Sequence, residues 1–137
     1  MRVCIVYQFN KPTNRSKELL ASLKSGFISQ GHQITSIDAV SQKGTIISHY
    51  DYLILLSSAT TWWGAAVSEH ISSFLQQAGS IGGKRCSAFV QKKGLRGNKT
   101  LQNVMKVMEK EGLFITYSDI LENPSHALSV GKRLQIQ

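Results

Sequence analysis

Val3-Cys4-Ile5-Val6-Tyr7, an unbroken apolar run near the start of the chain, predicts the first strand of the fold. Apolar runs without alternation are typical of strands that are buried on both faces, as in a parallel sheet. A second run of this kind lies at residues 52–56, and residues 86–90 form a similar run that is interrupted by Ser87. Between the runs, apolar residues recur at helical spacing, so the chain is predicted to alternate strands with helices.

Weaker patterns supply the remaining elements of the fold. Two more strands are predicted, at residues 34–38 and 113–117. Four helices are predicted from the 3.6-residue period, around residues 19–28, 67–75, 101–108 and 127–134. Strand–helix alternation builds βαβ units with right-handed crossovers. We therefore expect an α/β fold with a doubly wound, five-stranded parallel sheet of order 2-1-3-4-5, in a single domain over residues 1–137.

Composition limits the class of protein and of partner. The chain has 137 residues, and its net charge of +8 favours an anionic partner such as a phosphate-bearing ligand or an acidic protein, although solubility alone could explain it. No apolar run reaches the roughly 18 residues of a membrane span. We recognise no signal peptide before the first strand and expect a cytoplasmic protein with no membrane partner.

The cysteines and histidines predict no metal site. Cys4 and Cys86 both lie in apolar runs, where a free cysteine packs as a small hydrophobic residue. No CxxC motif or Cys/His cluster has the spacing of metal ligands. The four histidines are expected on loops and helix faces, away from the carboxyl ends of the strands.

In a doubly wound sheet, ligands bind outside the carboxyl ends of the strands, where the strand order reverses. The first loop that meets this edge covers residues 8–16 and leads into a helix. Lys11 and Arg15 offer positive charge, Thr13 and Ser16 offer hydroxyls, and a helix N-terminus favours anions. These residues suit a phosphate site, but Thr13, Asn14 or Ser16 could equally cap the helix.

Two further loops reach the same edge. Residues 57–65 contain both tryptophans, Trp62 and Trp63, which could stack on a planar ligand, pack on a helix or contact a partner protein. Residues 91–99 contain Gly94, Gly97 and four cations. This glycine-bearing loop could touch the edge of a planar ligand, receive an acidic partner or remain solvated.

These loops resemble those of the flavodoxin family, and the resemblance covers nearly the whole chain. Residues 58–64, Ser-Ala-Thr-Thr-Trp-Trp-Gly, are similar to the family's Gly-Ser-Pro-Thr-aromatic-aromatic-Gly loop, with Thr60 in place of proline. Thr13-Asn14-Arg15-Ser16 resembles the end of the family's phosphate loop, with Asn14 in place of glycine and about two extra residues before the motif. Gly94 and Gly97 resemble the glycines beside the flavin ring, and Gly131-Lys132 resembles the end of the last helix.

The resemblance implies noncovalent binding of FMN and a role in electron transfer, with no catalytic side chain. In place of the family's phosphate-loop glycine, Asn14 would have to accept a left-handed backbone, which asparagine tolerates better than most residues. Because the chain is basic, its redox partner is expected to be acidic. The implied cofactor-binding residues are Thr13, Asn14, Arg15, Ser16, Ser58, Ala59, Thr60, Thr61, Trp62, Trp63, Gly64, Gln91, Gly94 and Gly97.

Two alternatives stay open. A flavodoxin-fold module without flavin could bind an acidic protein through the basic loops. A flavin-dependent quinone or azo reductase is also compatible, although such enzymes typically have longer chains. Nucleic-acid binding is not favoured, because the cluster of Lys92, Lys93, Arg96 and Lys99 lacks interleaved aromatic residues.

Overall fold

One parallel sheet organises the chain, in a computed structural model that describes residues 1–58, 65–93 and 97–136, without the side chains of 65–68. The elements in chain order are β1 (Arg2–Gln8), α1 (Asn14–Ser29), β2 (Gln33–Asp38), β3 (Tyr52–Ser58), α2 (Ala65–Gln76), β4 (Arg85–Gln91), α3 (Gly97–Lys110), β5 (Phe114–Leu121) and α4 (Pro124–Arg133). The strand order is β2-β1-β3-β4-β5, which confirms the predicted fold class. None of the helices in these ranges is long and apolar enough to cross a membrane.

Helices cover both faces of the sheet, which explains why β1 and β3 contain continuous apolar runs and why β4 is buried from Cys86 to Val90. On one face, α1 and α4 contribute Leu19, Phe27 and Ala127 to a core that includes Ile54 of β3. On the other face, side chains of α2 and α3 pack against Cys4, Leu53, Ala88 and their neighbours. Each helical layer therefore buries alternate residues of the same three strands.

The α1–α4 layer depends on two glycines. A Cβ atom on Gly131 would lie 2.6 Å from the carbonyl oxygen of Leu23 and 2.8 Å from Cα of Gly26. A Cβ atom on Gly26 would in turn lie 2.7 Å from Cα of Gly131. The two helix backbones thus touch directly, and both positions require the absence of a side chain.

Several predicted boundaries are corrected by the structure. The fifth strand begins at Phe114 rather than Leu113 and continues to Leu121, four residues beyond the predicted end. The last helix begins at Pro124, three residues before the predicted start, because Asn123 caps the helix and accepts a hydrogen bond from the His126 N–H group at 2.8 Å. The first and third helices also begin earlier than their apolar periodicity predicted, at Asn14 and Gly97.

Both cysteines lie in the core, as predicted, with no exposed surface. Burial raises the pKa of each thiol, Cys4 and Cys86, to about 12. We expect neither thiol to react with an aromatic disulfide reagent at pH 8 in the native protein, whereas both should react in denaturant, because only a thiolate attacks and only unfolding exposes it. The pKa of each thiol is higher in the folded state than in the unfolded state. The free energy of unfolding should therefore fall as pH rises from about 9 to about 12, because the unfolded state loses thiol protons that the folded state keeps. Rapid reaction of one thiol without denaturant would contradict the burial of that cysteine.

Candidate functional site

Polar side chains collect at the carboxyl ends of the three central strands. β1 ends at Gln8, β3 ends at Ser57 and Ser58, and β4 ends at Gln91. The register pairs Gln8 with Ser57 across β1 and β3, and Ser58 with Gln91 across β3 and β4. This edge contains the β1/β3 switch point, where ligands of doubly wound sheets bind.

Gln8 and Ser57 form a buried polar pair with incomplete hydrogen bonding. Gln8 is 4% exposed and Ser57 is fully buried. The Gln8 amide nitrogen donates to Oδ1 of Asn10 at 3.2 Å, but Gln8 Oε1 and Ser57 Oγ have no hydrogen-bond partner among the described residues. Each unsatisfied buried polar group costs about 1–3 kcal/mol. Such a pair at the switch point calls for a ligand or an ordered water to complete it.

The neighbours of this pair show which face of the sheet it occupies. Val6 and Leu55 precede Gln8 and Ser57 by two positions and belong to the core beneath α2 and α3. Side chains two residues apart on a strand share a face. The polar pair therefore continues that core towards the start of α2, where residues 59–64 lie outside the described part of the chain.

The hydroxyls of the first loop are engaged within the protein. Thr13 is the N-cap of α1, and its Oγ1 accepts the Ser16 N–H at 3.1 Å. The Ser16 hydroxyl lies 3.1 Å from Thr13 Oγ1 and donates to Gln91 Oε1 at 2.9 Å. These bonds join the start of α1 to the end of β4. The capping interpretation of Thr13 is thus confirmed, and Ser16 supports the cap from inside the first turn.

The other two residues of the predicted phosphate motif are helical. Asn14 and Arg15 occupy the first turn of α1, a turn that contains no acidic residue. Asn14 does not adopt a left-handed backbone, since positive φ angles in the described ranges occur at glycine alone. The Arg15 guanidinium donates to the carbonyl oxygen of Glu122 at 3.1 Å. The backbone N–H groups of Asn14 and Arg15 lie at the N-terminus of α1, where N–H groups have no hydrogen-bond acceptor within the helix.

The second loop is described at its two ends. Ser58 is the last residue of β3, and its hydroxyl oxygen accepts the Asn10 N–H at 3.1 Å. Ala65 opens α2. The remaining candidates lie outside the described residues, so their role at a flavin ring stays a prediction: Ala59, Thr60, Thr61, Trp62, Trp63 and Gly64.

The third loop brings one candidate to the site and moves another into a helix. Gln91 Oε1 accepts the hydrogen bond from the Ser16 hydroxyl that is described above. Gly97 is the first residue of α3 and is buried; a Cβ atom there would lie 3.2 Å from Cδ1 of Ile120. The glycine at position 97 therefore permits close packing of α3 on β5. Gly94 lies outside the described residues.

Sequence reasoning missed a cluster around His126, which was expected away from the strand ends. A cavity of about 500 Å³ lies between the end of β5 and the starts of α3 and α4, and its charged lining includes Lys92, Asp119 and Glu122. His126 Nε2 lies 3.4 Å from Asp119 Oδ2, and Nδ1 accepts the Glu122 N–H at 3.1 Å. The neutral imidazole therefore carries its proton on Nε2, facing Asp119. Asn123-Pro124 was the available signal, since it fixes the start of α4.

Tyr117 extends this cluster along β5. Its hydroxyl donates to Asp119 Oδ2 at 3.2 Å. Partial burial, followed by the nearby negative charge of Asp119, raises the pKa of Tyr117, so the phenol stays protonated and remains a donor. The Ile120 N–H donates to Asp119 Oδ1 at 2.8 Å, so each carboxylate oxygen accepts a hydrogen bond from the protein. The cluster fixes the shape of this wall of the cavity.

Comparisons with known proteins place the fold. No protein-family model matches the chain, and no curated protein matches its sequence. Among solved structures, oxidised flavodoxin 1 from Bacillus cereus aligns at a TM-score of 0.69 and 12% identity, over 98% of this chain and 100% of its own. Flavodoxin 2 from the same organism aligns at 0.71 and 10% identity, over 96% and 95%. The fold is flavodoxin-like.

An enzyme of the same fold also matches. The NAD(P)H:quinone oxidoreductase from Methanothermobacter marburgensis aligns at a TM-score of 0.64 and 14% identity, over 98% of this chain and 100% of its own. Quinone reductases were expected to have longer chains, and this one does not. Chain length therefore fails to separate an electron carrier from a quinone reductase.

Proposed function

We propose that this chain binds FMN noncovalently at the carboxyl edge of its sheet and serves in electron transfer. The observation that carries the proposal is the unsatisfied pair of Gln8 Oε1 and Ser57 Oγ, which lies at the β1/β3 switch point. A polar ligand bound there would supply the hydrogen bonds that the described residues do not provide. The flavodoxin-like fold supports this position, because ligands of doubly wound sheets bind at the carboxyl edge near the switch point.

The start of α1 supports phosphate binding in a form that differs from the expected one. Because Thr13 and Ser16 bond to each other and to Gln91, their hydroxyls are not free to surround a phosphate. The N–H groups of Asn14 and Arg15, with the helix dipole, are the groups that would hold it. Arg15 would add positive charge beside them.

The remaining candidate residues would position the ring. When bound, FMN would supply the redox chemistry, and the protein would supply orientation and electrostatics. Trp62 and Trp63 would cover the ring and exclude water, while Gly94 would allow backbone groups to approach its edge. A net charge of +8 supports an acidic redox partner in the cytoplasm.

A titration with FMN tests the proposal. We expect the purified protein to be yellow, or to become yellow on reconstitution, and added FMN to quench its tryptophan fluorescence. Trp62→Ala or Trp63→Ala should weaken FMN binding about five- to tenfold, because a stacked ring contributes about 1 kcal/mol. Riboflavin, which lacks the phosphate, is the matched ligand control and should bind more weakly. A colourless protein whose fluorescence ignores FMN would exclude the proposed cofactor.

One observation favours a second candidate, a flavin-free module that binds a protein. The closed contacts of Thr13, Ser16 and Gln91 complete the start of α1 without any ligand. If FMN fails to bind, this module becomes the preferred interpretation of the chain.

A further inference from the structure

A groove beside α1, at the open edge of the sheet, has the character of a binding surface. It has a volume of about 390 Å³ and runs between α1 and the β1–β2 pair, with Tyr7, Phe9 and Leu20 among its walls. The rings of Tyr7 and Phe9 are half-buried, with centroids 5.5 Å apart. We call this feature the α1–β2 groove. It shares no residue with the candidate flavin site.

Positive charge lines the same groove. Lys17 and Lys24 both contribute to its lining and are seven residues apart on α1, which is two helical turns or about 10 Å. Neither lysine forms an ion pair within the described part of the chain. The carboxylate that lines the groove, Asp38, already accepts the N–H groups of Val40 and Ser41 at 2.9 and 3.2 Å. The lining is therefore net basic.

Tyr7 adds a hydrogen-bond donor to the groove. Burial and the negative charge of Asp38 raise the pKa of Tyr7, so its hydroxyl keeps its proton. No hydrogen bond to this hydroxyl occurs within the described residues. The groove thus combines an aromatic wall, a phenol donor and two ammonium groups, which together match carboxylates flanking an apolar side chain.

We propose that the α1–β2 groove docks an acidic segment of a partner protein, with an apolar side chain against Tyr7 and Phe9 and carboxylates on Lys17 and Lys24. An extended chain advances about 3.3 Å per residue. Alternate side chains of an extended chain share a face, so two carboxylates four residues apart, about 13 Å, can face the two lysines together, with an apolar side chain midway between them on the same face. This site goes beyond FMN binding and does not depend on it.

Fluorescence anisotropy tests the groove with a defined probe. The probe is a fluorescein-labelled peptide in which two glutamates lie four residues apart with a phenylalanine midway between them, and the comparison peptide carries lysines in place of the glutamates. We expect the acidic peptide alone to bind, and added salt to weaken its binding. Lys17→Glu with Lys24→Glu should lower the affinity about tenfold, through two lost pairs and the repulsion that replaces them. Phe9→Ala should weaken binding about fivefold without changing the salt dependence.

The matched control carries the same change of charge elsewhere. Lys106 and Lys110 are exposed on α3, on the opposite face of the sheet, and Lys106→Glu with Lys110→Glu should leave peptide affinity within twofold. Circular dichroism would establish that each variant is folded. Equal weakening by the two charge reversals would overturn the proposal, as would tighter binding of a single-stranded oligonucleotide or of anionic vesicles than of the acidic peptide. A protein that binds the peptide but does not bind added FMN would refute FMN binding and leave the groove proposal intact.

Discussion

Replacing Gly131 with alanine should destabilise the folded protein by about 2–3 kcal/mol, although alanine favours a helix over glycine by about 1 kcal/mol. The new methyl group would lie 2.6 Å from the Leu23 carbonyl oxygen and 2.8 Å from Gly26 Cα. Both of these atoms belong to the backbone, so no side-chain rotation can relieve the contact. α4 would have to move away from α1 and open the core that contains Phe27 and Ala127.

Denaturant unfolding followed by circular dichroism would measure the free energy lost. Gly82→Ala is the matched control, because a Cβ atom there meets nothing within 4 Å. It should leave the free energy of unfolding within about 0.5 kcal/mol of the parent value. An unchanged unfolding midpoint for Gly131→Ala would mean that α1 and α4 are not in direct backbone contact.

The central strands were predictable because a strand that is buried on both faces requires mostly apolar residues at consecutive positions. β5 shows the limit of that reasoning. It is an edge strand, with Phe114 61% exposed, and its later residues include Ser118 and Asp119. Backbone hydrogen bonds to β4 hold these residues in the sheet, with Ala88 opposite Ser118 and Phe89 opposite Asp119. Hydropathy does not detect backbone hydrogen bonds between strands, so the apolar pattern predicted an end at Tyr117.

The position of the site was predictable, but the roles of its residues were less so. The switch-point rule places ligands at the carboxyl edge from the strand order alone. Thr13 and Ser16 were ambiguous because a helix cap and a phosphate site require the same hydroxyl-bearing residues. The Gln8–Ser57 pair could not be found from sequence, because it depends on the register of β1 and β3 and on which atoms lack partners. His126 was missed because its position depends on the full length of β5.

Replacing both members of that pair, by Gln8→Leu with Ser57→Ala, should have opposite effects on folding and on ligand binding. Removal of Gln8 Oε1 and Ser57 Oγ eliminates two unsatisfied buried groups next to the apolar core. We expect the ligand-free protein to become about 1–2 kcal/mol more stable, because this gain exceeds the loss of the hydrogen bond from the Gln8 amide nitrogen to Asn10 Oδ1. FMN affinity should fall about tenfold or more. The variant loses the hydrogen bonds of both groups to the ligand, which together contribute roughly 1.4 kcal/mol or more, and 1.4 kcal/mol corresponds to a tenfold change in affinity.

Ser87→Ala provides the control for this double variant, because it makes a serine-to-alanine change at another fully buried strand position. The Ser87 hydroxyl is satisfied by a hydrogen bond with the Tyr52 hydroxyl, which also bonds to Thr116 Oγ1 at 2.8 Å. Its removal should therefore destabilise the protein, by about 1 kcal/mol, without affecting FMN. Opposite signs of the stability change for the double variant and for Ser87→Ala would distinguish polar groups that await a ligand from a polar group that stabilises the fold. If the double variant neither stabilises the ligand-free protein nor weakens FMN binding, water completes the Gln8–Ser57 pair and the flavin lies elsewhere.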